Sequence, residues 1–90
     1  MLPNHSDSID ENERFSSREI INALRMLEPI LGRATIEALE YDFEVYGLPL
    51  VNEHTEYSFA EIEIAIKKIF GDATHLFLVR FTRALNAVSR

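Results

Sequence analysis

Lys67-Lys68-Ile69-Phe70-Gly71-Asp72-Ala73-Thr74-His75-Leu76-Phe77-Leu78-Val79-Arg80-Phe81 decides the fold of this chain. Its first half reads as the end of a helix, while Leu76-Phe77-Leu78-Val79 taken alone reads as a buried strand. Gly71 is a helix stop, because a residue without Cβ enters the left-handed conformation that closes a helix at no steric cost. Asp72 follows at once and suits the N-cap of a new helix. Downstream, Phe77, Phe81, Ala84, Leu85 and Val88 share one face at about 100° per residue. A strand would alternate, and Arg80-Phe81-Thr82-Arg83-Ala84 does not. The stretch is a helix stop followed by a helix start.

The same reasoning runs upstream. Ser58-Phe59-Ala60-Glu61 fits a capping box and opens a helix with Phe59, Ile62, Ile66 and Ile69 inward. Ser16-Ser17-Arg18-Glu19 fits a second box, followed by Ile20, Leu24, Leu27 and Leu31 at helical spacing. Pro29 biases Glu28 away from the helical region, so this first helix should stop near residue 28, with 29–32 as a tight corner. Between them a helix covers about 33–46, with Ile36, Leu39, Phe43 and Tyr46 on one face, closed by Gly47 and Pro49. The one long connection is Gly47 to Tyr57. Residues 1–15 are acidic and aperiodic and read as a disordered tail. No internal repeat is evident. The expectation is an all-α domain of four helices over residues 16–90, with short connections and one longer loop.

Ninety residues make one small domain with a limited core. The chain has no cysteine, which excludes disulfides, thiolate metal sites and thiol nucleophiles. Without staples, so small a domain depends on well-packed helices or on association. No signal-peptide pattern opens the chain, and no apolar run approaches the ~20 residues that span a bilayer. The expectation is a soluble cytoplasmic protein with no membrane contact. Net charge is −6, unevenly spread: residues 1–63 hold 14 acids and 4 bases, residues 64–90 hold 1 acid and 5 bases. Such asymmetry can attract within the fold or orient a partner or second copy.

Chemistry-bearing residues are few. His5 lies in the tail. His54 stands near Glu53 and Glu56 in the long loop, a set that is more often solvated than metal-binding. Asp72 and His75 suggest a capping contact at a helix start. Glu37, Glu40 and Glu44 line one helix side without the enclosure that tunes a carboxylate for catalysis. No phosphate-binding glycine loop, nucleophile elbow or HExxH occurs. The expectation is a non-enzyme with no catalytic residue, no metal site and no cofactor.

What remains is surplus apolar surface. Leu76 and Val79 fall beside Arg80 and Arg83, away from Phe77 and Phe81. Tyr41 and Val45 lie opposite Leu39 and Phe43. Ile21, Met26 and Ile64 are also off-stripe. A central helix touched on both sides would explain some of them; an exposed face that binds another helix explains Leu76, Val79 and Arg83, at i, i+3 and i+7. Leu76, Val79, Arg80 and Arg83 are therefore the candidate interface, with Tyr41 and Val45 as a second face. The partner would be a second copy in a homodimer or a larger signalling regulator. The alternative is a nucleic-acid-associated transcriptional regulator using Lys67, Lys68, Arg80, Arg83 and Arg90, which a pI near 4.9 disfavours.

The stretch from about Leu24 to Leu85 resembles the archaeal signalling family called the Nitrosopumilus output domain, the fifth of a numbered set. The likeness rests on the Leu31-Gly32 corner with its helix to Tyr46-Gly47-Leu48, on Phe59-Ala60-Glu61-Ile62 leading to Ile66-Lys67-Lys68-Ile69-Phe70-Gly71, and on the apolar helix that follows. The resemblance implies a small helical output or interaction module of signalling proteins. The loop from Gly47 to Ser58 is longer than that pattern, and only the acidic tail precedes the domain, so a stand-alone adaptor is the implied role.

Overall fold

Both serine boxes form, and they form as a pair. The computed structural model describes residues 9–51 and 54–89. Ser16 Oγ accepts from the Glu19 N–H at 3.1 Å, and the Glu19 carboxylate accepts from the Ser16 N–H at 2.8 Å. Ser58 and Glu61 repeat this at 3.2 and 2.8 Å. Each box holds first-turn N–H groups that would otherwise lack partners, and losing a serine cap costs about 1 kcal/mol. Helix α1 (Ser17–Met26) follows the first box and helix α4 (Phe59–Phe70) the second.

Ahead of each helix the chain is extended. Strands β1 (Arg14–Ser16) and β2 (Glu56–Ser58) pair antiparallel, with Phe15 opposite Tyr57. The Ser17 N–H donates to the Thr55 carbonyl at 2.8 Å, and the Phe59 N–H donates to the Glu13 carbonyl at 2.8 Å. The two crossing bonds are counterparts, their donors Ser17 and Phe59 and their acceptors Glu13 and Thr55 each standing 42 positions apart. Phe15 matches Tyr57, Ser16 matches Ser58, Glu19 matches Glu61, Ile20 matches Ile62 and Ala23 matches Ala65. Residues 13–24 and 55–66 are thus an internal repeat about a local twofold, which corrects the expectation of no repeat.

The expected tail of residues 1–15 is corrected too, as far as it is described. Residues 1–8 lie outside the described part. From Ile9 onward the chain belongs to the domain: Ile9 packs against the core, and Phe15, only 1% exposed, is part of it. The long connection likewise contains β2 and buries Leu48, Leu50 and Tyr57.

Between the repeats, α1 ends at Met26, and the expected tight corner at 29–32 is a single helical turn, α2 (Glu28–Leu31). Pro29 fits there because its missing N–H falls in a first turn, where no intrahelical acceptor exists. Helix α3 (Arg33–Val45) ends in a Schellman motif: the Gly47 N–H donates to the Glu44 carbonyl at 3.1 Å, and that of Leu48 to the Phe43 carbonyl at 2.8 Å. Gly47 takes φ 95°, which glycine adopts freely. Tyr46, expected on the inner face, is exposed because α3 stops one residue before it.

At the deciding stretch, Gly71 ends α4 with φ 56°, its N–H donating to the Lys67 carbonyl. The next helix does not start on Asp72. Gly71–Ala73 form a 3₁₀ turn, and α5 (Thr74–Val88) follows it. Thr74 Oγ1 donates to the Gly71 carbonyl at 2.6 Å, tying the turn to the helix, while Asp72 and His75 are exposed. The expected Asp72 cap is therefore replaced by a threonine bond across a tighter turn. Lys67 and Lys68 sit in the last turn of α4, where their charge complements the helix dipole.

The fold is all-α apart from the small sheet, with four helices of ten or more residues among the described residues. One core joins them. Phe15, Ile20, Leu24, Phe43, Ile62, Ile66, Phe81 and Leu85 are almost fully enclosed. A chain of rings runs through it: Phe70 stacks on Phe77 at 4.2 Å, Phe77 on Phe81 at 5.3 Å, and Phe43 reaches Phe81 at 6.4 Å between centroids.

Tyr57 adds a pH-dependent term. Its hydroxyl donates to the Pro49 carbonyl at 2.8 Å, fixing the long loop over the sheet. Burial first, and then the nearby Glu61 carboxylate, raise its pKa above the ordinary tyrosine value, with a hydrogen bond to Thr55 opposing. The folded state therefore favours the protonated phenol. Its contribution is complete below about pH 10 and is lost as pH rises through the higher folded value. Urea midpoints should fall between pH 8 and pH 10.5, and Tyr57→Phe, which cannot ionise, should show a smaller fall. An equal fall in both proteins would remove Tyr57 as the cause.

Candidate contact surface

Helix α5 presents two stripes, and the angular arithmetic fixes both. Thr74, Phe77, Phe81, Ala84 and Leu85 are buried. Taking about 100° per residue, Leu76, Val79, Arg80 and Arg83 fall within a band roughly 100° wide on another side. All four are exposed, Leu76 at 73%. Leu78, between the stripes, is partly buried against the core, and Thr82 Oγ1 donates back to the Leu78 carbonyl at 2.8 Å.

The packing of α5 against α1 extends this band with residues far away in sequence. One groove, of ≈ 220 Å³, is lined by Met26, Leu27, Ile30, Arg80, Arg83 and Ala84. A second, of ≈ 200 Å³, is lined by Leu31, Phe70, Ala73, Leu76, Phe77 and Arg80. Arg80 borders both grooves. Met26 and Ile30, half exposed, stand on the far bank. Sequence reasoning treated Met26 as merely off-stripe and did not single out Ile30. Only tertiary packing brings them to Arg80 and Arg83.

Tyr41 and Val45 form a separate face on α3, and neither borders the α5 grooves. Tyr41 is 66% exposed and Val45 is exposed one turn later. Tyr41 lines a hollow of ≈ 380 Å³ with Ile21, Arg25, Glu37, Glu40, Glu44, Leu50 and Val51. Arg25 Nε lies 3.5 Å from Glu40 Oε2, so three carboxylates here are set against one guanidinium. Ile21 is partly buried against the core, so its off-stripe position is explained by packing. Ile64 is exposed on α4 and borders neither face.

Of the other candidates, Glu53, His5 and Arg90 lie outside the described residues. No group of three His, Cys, Asp or Glu among the described residues is placed to hold a metal ion. The paired glutamates Glu19 and Glu61 merit a direct comparison, because a twelve-position calcium loop ends on glutamate. Counting back from Glu61 puts Leu50, buried in the core, at the first ligand position. Counting back from Glu19 puts Glu13 at the sixth position, where the loop turns on glycine, and Glu13 has no positive φ. Both glutamate carboxylates instead accept from their own capping N–H groups. The paired loops do not fit that ion. Among the described residues no helix is long and apolar enough to cross a membrane. No family model, curated protein or solved structure matches the chain.

Proposed function

We propose that this chain acts by binding another protein through the outer band of α5, as a non-catalytic interaction module of the adaptor or signalling-output kind. The observation that carries this reading is the exposed band of Leu76, Val79, Arg80 and Arg83, flanked by two apolar grooves that Met26 and Ile30 extend. Hollows with apolar floors and an arginine at the rim suit the side chains of a docking helix, whose anchors recur at i, i+3 and i+4.

The double variant Leu76→Asp/Val79→Asp tests this. Both positions are exposed, so the melting temperature should stay within about 4 °C of the wild type. Binding should be lost. Wild type and variant are compared by sedimentation across micromolar concentrations and as immobilised baits in a lysate of the source cells. The reading expects a mass above one chain, or a retained protein, with wild type and not with the variant. Identical behaviour of the two proteins in both assays would overturn it.

A further inference from the structure

The repeat does not end with the paired loops. At the same offset of 42 positions α3 answers to α5: Leu39 matches Phe81 and Phe43 matches Leu85, and all four are buried. The single turn α2 answers to the 3₁₀ turn between α4 and α5. The described domain is therefore two units of one plan, strand, helix, turn and helix. A surface feature that the plan requires should occur in both units. The apolar band beside α5 does not. Leu76 and Val79 match Ala34 and Glu37, while Met26 and Ile30 match Lys68 and Asp72, and all eight are exposed. The fold thus accepts a methyl group or a charge wherever this band presents a large apolar side chain. Folding does not account for the band, and a contact does.

The same comparison singles out one charge. Arg80 matches Ala38, so its guanidinium is no requirement of the fold either. Arg80 is exposed, borders both grooves and makes no ion pair among the described residues. Arg83 already has a partner within the chain and is left out of the count. No carboxylate lines either groove: Glu28 lies 3.5 Å from Arg33, and Asp72 borders neither hollow. A partner that covered the band with apolar groups alone would bury the Arg80 charge unpaired, which is costly. We infer that the occupant of the α5 band is an acidic amphipathic helix of another protein, with two apolar anchors and a carboxylate between them for Arg80. This deepens the contact role proposed above and rests on it. The grooves follow one another along α5 on either side of Arg80, so the carboxylate falls between the anchors. On one face of a helix that pattern is apolar at i and i+7 with an acid at i+3 or i+4.

A displayed peptide library tests it against the intact chain. The probes are helical peptides with leucine fixed at i and i+7 and with Glu, Gln or Lys at i+3 and i+4. Wild type should enrich Glu over Lys at these two positions at least about tenfold. Arg80→Glu should reverse the preference, and circular dichroism checks that this exposed substitution leaves the fold intact. One recovered peptide, labelled with fluorescein, should bind Leu76→Asp/Val79→Asp at least about tenfold more weakly than wild type. Recovered peptides without a Glu preference, or a preference unchanged by Arg80→Glu, overturn the acidic partner and leave the contact role of α5 standing. A wild type that self-associates in sedimentation, and loses this in Leu76→Asp/Val79→Asp, makes a second copy the occupant; the acidic helix falls and the contact role stands. If no peptide is recovered, the helical occupant is overturned and the bait comparison alone decides the contact role.

Discussion

Phe81→Ala is expected to bring the protein to the edge of unfolding, with a fall in melting temperature of about 15–35 °C. Phe81 is fully enclosed and is the ring where α5 meets both α3, through Phe43, and the Phe70–Phe77 stack. Removing a buried phenylalanine costs about 3–5 kcal/mol, from the lost transfer energy and the cavity left behind. A domain of this length has roughly 5–13 kcal/mol in total. Phe77 cannot collapse into the gap cheaply, because it is held by its stack on Phe70. A thermal melt followed by circular dichroism reads the effect. A shift below about 5 °C would mean that Phe81 lies outside the core.

Phe15→Ala is expected to cost nearly as much, which no disordered tail residue could. Phe15 is 1% exposed and pairs with Tyr57 across the sheet, so its loss opens a cavity under both repeats. About 3–4 kcal/mol should be lost in urea denaturation. Arg14→Ala serves as the control. Arg14 makes an exposed ion pair with Glu56 at 3.4 Å, of the kind that contributes less than about 1 kcal/mol. Hydrogen exchange gives an independent readout, since the Phe59 amide donates to the Glu13 carbonyl across the same junction. Its protection should drop in Phe15→Ala. An unchanged urea midpoint would show that β1 contributes nothing to stability.

The helices were legible because each carries several inward residues at a regular period. Ile20 and Leu24 on α1 with Leu27 at its C-cap, or Phe77, Phe81 and Leu85 on α5, announce a face several times over. The strands were not, because a three-residue strand has a single inward side chain, and one residue cannot display an alternation. The signal that does reveal them is comparative: Phe15-Ser16 and Tyr57-Ser58 stand in the same relation to their glutamates 42 positions apart. Asp72 misled for a local reason. An N-cap aspartate needs extended backbone, and the 3₁₀ turn at Gly71–Ala73 denies it that conformation. Of the surface, the exposure of Leu76, Val79, Tyr41 and Val45 followed from their angle to the buried stripes. The company of Met26 and Ile30 beside Arg80 did not, because it depends on how α1 and α2 lie against α5.

The pairing of β1 with β2 has a kinetic consequence. Helices α4 and α5 are neighbours in the chain, joined by a three-residue turn, and can meet by local contacts. The sheet instead closes a loop of 42 residues, at an entropic cost of about 3 kcal/mol before any contact repays it. During synthesis Phe15 emerges well ahead of Tyr57. At ordinary elongation rates it waits about 2–8 s for its partner, an apolar ring on an unfolded chain. The earlier of the two strands to leave the ribosome is therefore among the last segments to find its place.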